Sequence, residues 1–213
     1  MIETGPADAR IRLILAHGAG APMDSPFLDK IAFLLAERGA ATTRFEFAYM
    51  AARREGKRRA PPRAEKLEGE YEAAVVAVRA RHGGQALFIG GKSMGGRVAS
   101  MIAGRLYAAR QICGLVCLGY PFHPPGRPEQ LRTGHLHDLA CPALIVQGER
   151  DPFGNKDEAS HYGLSEKIAL TWIGDGDHDL GPRGASGFTR AGNLAAAADA
   201  AAAFMTANAR PAR

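Results

Sequence analysis

The sequence predicts an α/β fold: a minimal six-stranded, mostly parallel sheet flanked by helices, in a single domain over residues 1–213 with its core at about 11–207. Three observations lead there. Short apolar runs alternate along the chain with longer stretches of helical periodicity. The runs are almost continuously apolar, as strands covered by helices on both faces must be. No internal repeat or linker-like segment interrupts the alternation.

The expected strands are Ile11–Ala16, Ala40–Phe47, Gln85–Ile89, Ile112–Leu118, Ala143–Gln147 and Ile168–Ile173, short runs flanked by Gly or Pro. In the first expected helix, Ser25–Arg38, Pro26 sits in the first turn, where its missing N–H costs nothing. Phe27, Leu28, Ile31, Leu34 and Leu35 form its apolar stripe and Gly39 ends it. Ala64–Arg81 repeats Leu67, Tyr71, Ala74, Val75 and Val78 at helical spacing, and Met94–Ala109 follows a glycine-rich turn. The alanine-rich stretch Phe188–Ala207 reads as a packed terminal helix, alanine being the best helix former.

Composition is ordinary for a globular domain, 46% apolar and 23% charged. No apolar run is long enough to span a bilayer, and MIETGPADARIRL lacks the basic-then-apolar order of a secretory signal. Cys113, Cys117 and Cys141 are odd in number and have no ligand-spaced His or acid, so they read as reduced thiols of a cytoplasmic protein without metal. Between Arg53 and Lys66 stand seven basic and two acidic residues, an excess equal to the net charge of +5 of the whole chain. One charged segment is not the broad basic face of a nucleic-acid binder. It is a solvated loop or a local anion site, with Arg53, Arg54 and Arg58 as its candidate contacts.

Residues 90–97 read GGKSMGGR. A phosphate loop would need glycine at position 86, which is Ala86, and the preceding residues are strand-like, leaving too short a loop to wrap a phosphate. Gly91-Lys92-Ser93-Met94-Gly95 fits instead the G-x-S-x-G turn between strand and helix that exposes a nucleophilic serine. Side chains at 91 and 95 would collide across such a turn, and Gly96 and Ala99 keep the helix slim where it crosses the sheet. Lys92 is the variable residue of the turn, expected to face solvent or touch the rim.

A serine hydroxyl needs a base, and the base needs an orienting acid. Ligand sites of such sheets lie at the carboxyl ends of the strands, and the chain order there is Ser, acid, His. Asp151 follows the strand ALIVQ and precedes Pro152; His178 follows IALTWI within GDGDHDL. Glu149 is the alternative acid, nearer the strand, and Asp175, Asp177 and Asp179 read as solvated turn residues, with a loose cation site as the rival reading. The expected oxyanion donors are the N–H of Met94 and one from Ala19 or Gly20, with His17 anchoring that loop. His123, in another carboxyl-edge loop, is a candidate substrate contact.

Together the blocks LAHGAGAPMDSPF, FAYMAARREGKRRAPPRAEKL, GGKSMGGRVAS, GYPFHPPGRPEQLRTGHL, QGERDPFG and GDGDHDL resemble a compact subfamily of the α/β hydrolases, over about residues 11–205. That subfamily includes bacterial hydrolases, a testis-expressed eukaryotic protein and the hydrolase-like region of a nonspecific-lethal chromatin complex subunit; dienelactone hydrolases are similar at the level of fold. The resemblance implies strand order 2-1-3-4-5-6, the first two strands of the usual eight being absent, and the segment between ICGLVCLGY and CPALIVQG is too short for a helical lid. The expected activity is serine hydrolysis of an ester or related acyl bond, with Ser93, Asp151 and His178 as triad and no cofactor. An open site and the basic segment suggest small anionic substrates, with neither nucleic acid nor membrane as partner. The alternative is a non-catalytic interaction module that docks through residues 53–66.

Overall fold

The computed structural model describes residues 1–57 and 59–210, so Arg58 lies outside the described residues. Strands β2 (Ile11–Ala16), β3 (Ala40–Phe45), β4 (Ala86–Lys92), β5 (Gly114–Leu118), β6 (Ala143–Gly148) and β7 (Ile168–Ile173) match the expected runs. They are mutually parallel and neighbour one another in the expected order. The count of six is corrected to seven. A strand β1 (Ile2–Thr4) precedes them and pairs antiparallel with β3, Ile2 opposite Arg44 and Thr4 opposite Thr42, giving the order β1-β3-β2-β4-β5-β6-β7. Three residues with one apolar side chain carry no readable period. The open edge of β3 makes them a strand.

Helices α1 (Pro26–Glu37) and α5 (Arg190–Asn208) cover one face, and α3 (Glu68–His82) and α4 (Met94–Ala108) the other. Each face has its own core. Leu13, Leu15, Ile31, Leu35 and Val116 lie in one, and Ile14, Ile89, Tyr71, Val98 and Ile102 in the other, as alternation along the strands requires. The basic segment is not wholly a loop: its first residues close a short helix α2 (Ala48–Arg54), held by the buried Tyr49 and Met50.

β2 lies between β3 and β4, so the chain turns to opposite sides of the sheet at this point. Such a switch leaves a crevice at the carboxyl ends of the two strands. Here the crevice lies between the 17–21 loop after β2 and the turn after β4. The buried Tyr71 hydroxyl ties the two strands just below it, accepting from Gly90 N–H at 2.9 Å, with the carbonyls of Gly90 (2.6 Å) and Ile14 (2.9 Å) as acceptors for its proton.

Candidate active site

Ser93 has φ 51° and ψ −117°, a left-handed conformation for a residue with a side chain. Such a geometry costs about 1–3 kcal/mol and persists only where packing dictates it. Two glycines dictate it here. A Cβ on Gly91 would lie 2.5 Å from the Gly95 carbonyl carbon, and one on Gly95 would lie 2.5 Å from His17 O and 2.6 Å from Ala16 O. The start of α4 therefore presses directly on the end of β2, and only Gly-x-Ser-x-Gly permits it.

The Ser93 hydroxyl meets His178 Nε2 at 2.9 Å, and His178 Nδ1 meets Asp151 Oδ2 at 2.8 Å. A carboxylate only accepts, so Nδ1 carries the proton and Nε2 faces the serine as an acceptor. Asp151 is fully buried, with no Lys or Arg ion-paired to it among the described residues. Its charge is held by three donors: His178, the Phe153 N–H on Oδ1 at 2.8 Å and the Gln147 side-chain amide on Oδ2 at 2.9 Å. The Phe153 bond closes an Asx turn, the local reason an aspartate precedes Pro152.

Gln147, at the end of β6, gave no functional signal in the sequence. It is buried, and besides Asp151 its amide contacts Tyr120 O and Gly154 O, while its carbonyl accepts from Tyr120 N–H at 2.6 Å. Asp175 is also more than a solvated turn residue. It is buried, and its carboxyl is held down to about 2 by hydrogen bonds from Arg183, with the charge of Arg150 assisting. Arg150 also donates to Asp175 O at 2.8 Å, and the Glu149 carboxylate accepts from Asp175 N–H at 3.0 Å. The loops bearing Asp151 and His178 are thus cross-linked. Asp177 closes its own turn by accepting from the N–H groups of Asp179 and Gly181, both at 2.8 Å.

His17 is wholly buried, and Phe47 N–H donates to its Nε2 at 3.1 Å, so its Nδ1 proton goes to Gly18 O at 2.7 Å. Burial pushes its pKa down and keeps it neutral. Tyr49 O–H reaches the carbonyls of Gly18 and Ala19. In a trans peptide N–H and C=O point opposite ways, so the N–H groups of Ala19 and Gly20 turn away from these anchors. Ala19, Gly20, Ser93 and His178 all line one cavity of about 470 Å³, with Phe27 and Phe153 among its apolar walls. A hollow of about 550 Å³ at the opposite edge of the sheet, by Gln85 and Cys113, contains none of these groups.

Lys92 is not on the solvent side: it is buried and lines the cavity beside Ser93. His123, Arg53 and Arg54 do not line it. His123 is buried with Nε2 2.9 Å from Glu158, Arg54 is paired with Glu46 and Asp24, and Arg53 stacks over Tyr49. Among the described residues, no group of three His, Cys, Asp or Glu is placed to hold a metal ion, and no helix is long and apolar enough to cross a membrane.

The alpha/beta hydrolase domain family matches residues 9–206, nearly the whole chain. The chain belongs to this family. Solved structures agree on the fold of this chain. It superimposes on a dienelactone hydrolase from Anabaena variabilis with a TM-score of 0.73 at 20% identity, covering 98% of this chain and 91% of that one. A Butyrivibrio proteoclasticus protein, Est1E, with ferulic acid bound gives 0.70 at 16% identity, covering 97% and 94%. A Xanthomonas campestris serine hydrolase described as lacking a lid gives 0.61 at 18%, covering 84% and 79%.

Proposed function

We propose that this α/β hydrolase is a serine hydrolase that cleaves an ester or related acyl bond of a small molecule. The observation that carries the reading is the unbroken series Ser93 Oγ, His178 Nε2, His178 Nδ1, Asp151 Oδ2 at the wall of a cavity. Ser93 attacks the carbonyl while His178 Nε2 takes its proton. The imidazolium so formed is held by Asp151, then returns the proton to the leaving group, and water repeats the cycle on the acyl-enzyme.

Oxyanion stabilisation falls to the N–H of Met94, aided by Ala19 or Gly20, each donor worth roughly 3–4 kcal/mol. Met94 opens the 15-residue helix α4, whose first turn holds no acid and whose first N–H groups have no intrahelical acceptor. Nothing in this scheme calls for a cofactor.

A fluorophosphonate probe tests it. Labelling of the wild type and none of Ser93→Ala is the expected result. A folded protein that is not labelled would instead favour a non-catalytic interaction module docking through residues 53–66.

A further inference from the structure

Lys92 is a buried cation with unfilled hydrogen-bonding capacity inside the cavity. Its side chain is 9% exposed, and its ammonium lies beside Gly119 and 5.5 Å from the centre of the Phe27 ring. Three N–H donors face one carboxylate, that of Asp179 at 3.3 Å, whose side chain is 57% exposed. Asp151 contributes its field, but its oxygens are taken by His178, Gln147 and Phe153. Asp177 is nearby and engaged with its own turn. Burying an ammonium so sparsely partnered is unfavourable, and desolvation pushes its pKa down. A second cation, the exposed Arg190, lines the same cavity, its guanidinium and the Asp177 carboxylate both standing beside Gly181.

Resting on the hydrolase reading above, we propose that Lys92, with Arg190, forms a carboxylate subsite, and that the preferred substrates are esters carrying a carboxylate close to the scissile bond. A substrate carboxylate supplies the acceptors that Lys92 lacks. The rival role, a latch in which Lys92 holds the His178 loop through Asp179, is redundant. That loop is already fastened by Arg150 and Glu149 to Asp175 and by the Asp177 turn.

The test is the ratio of kcat/KM for 4-nitrophenyl hemiglutarate to that for 4-nitrophenyl butyrate. A parallel pair, 4-butyryloxybenzoate and its methyl ester, places the carboxylate on the leaving group, so the arm that shows the preference locates the anion. Lys92→Met should lower the ratio about 10- to 100-fold, the loss of a hydrogen-bonded ion pair. Asp179→Asn, which frees the ammonium, should raise it. Ratios unchanged in both pairs, or both variants slowing charged and neutral esters alike, would overturn the subsite in favour of the latch.

Calorimetric titration with glutaramate and its neutral counterpart glutaramide reads the subsite without turnover. Glutaramate should bind wild type more tightly than glutaramide, and Lys92→Met should erase the difference. Equal binding of the two by wild type overturns the subsite even if esters are hydrolysed. Preferential glutaramate binding that needs Lys92, with no ester hydrolysed, would leave the subsite standing and remove the hydrolase reading alone.

Discussion

Replacing Gln147 separates positioning of the acid from simple support of the fold. In Gln147→Met the Asp151 carboxylate loses one of its three donors, a hydrogen bond to a charged group and worth about 1.5–3 kcal/mol. The Tyr120 N–H loses its side-chain acceptor, a further cost of about 1–3 kcal/mol for a buried donor left unpaired. The variant should therefore be destabilised by several kcal/mol and still fold if the domain has ordinary stability, about 5–15 kcal/mol. Per active site, counted by fluorophosphonate titration, kcat/KM on 4-nitrophenyl acetate should fall about 10- to 100-fold, one decade for each 1.4 kcal/mol. Gln147→Glu adds a readout that a purely structural role would not move. Its carboxyl still accepts from Tyr120 N–H and, while protonated, donates to Asp151; once ionised it sets a second negative charge against Asp151. Its activity relative to wild type should decline as pH rises, whereas the loss in Gln147→Met stays flat. A per-site kcat/KM for Gln147→Met within twofold of wild type, or a pH-independent ratio for Gln147→Glu, would refute the positioning role.

Two further outcomes follow from packing and charge. Gly95→Ala places a methyl 2.5 Å from His17 O, against backbone that cannot yield; chemical denaturation should show a loss of about 1–3 kcal/mol or more, with activity falling further as the elbow shifts. The Asp175 carboxyl titrates at about 2 in the fold against 3.8 in an unperturbed chain, so its stabilisation is complete above 3.8 and fades as pH falls toward 2. The stability difference between wild type and Asp175→Asn should accordingly be constant at neutral pH and shrink across that acid window.

The elbow was legible because its determinants are local: a strand, two glycines that admit backbone contact, a serine and a helix stand next to one another in the chain. Asp151 and His178 were legible at one remove, since each follows a strand and parallel strands deliver their carboxyl ends to one edge. The order of the six parallel strands came instead from the resemblance to the hydrolase subfamily, and the sheet keeps it.

Other features had no such signature. β1 is too short to show a period and exists because β3 offers an open edge. Gln147 reads as the last residue of a buried strand, and only the approach of the Tyr120 and Gly154 segments turns its amide toward Asp151. Arg53 and Arg54 follow a strand on the correct edge, yet α2 and the acids Glu46 and Asp24 engage them away from the cavity.

By itself, then, the sequence determined the fold class and the three groups that converge on the crevice. Periodicity and backbone sterics act between neighbours in the chain, and strand direction does the rest. Tertiary structure alone decided which charges are buried and what they face. Lys92 shows why: its position in the elbow is local, but its desolvation depends on Phe27, Gly119 and Asp179, supplied by three separate segments of the chain.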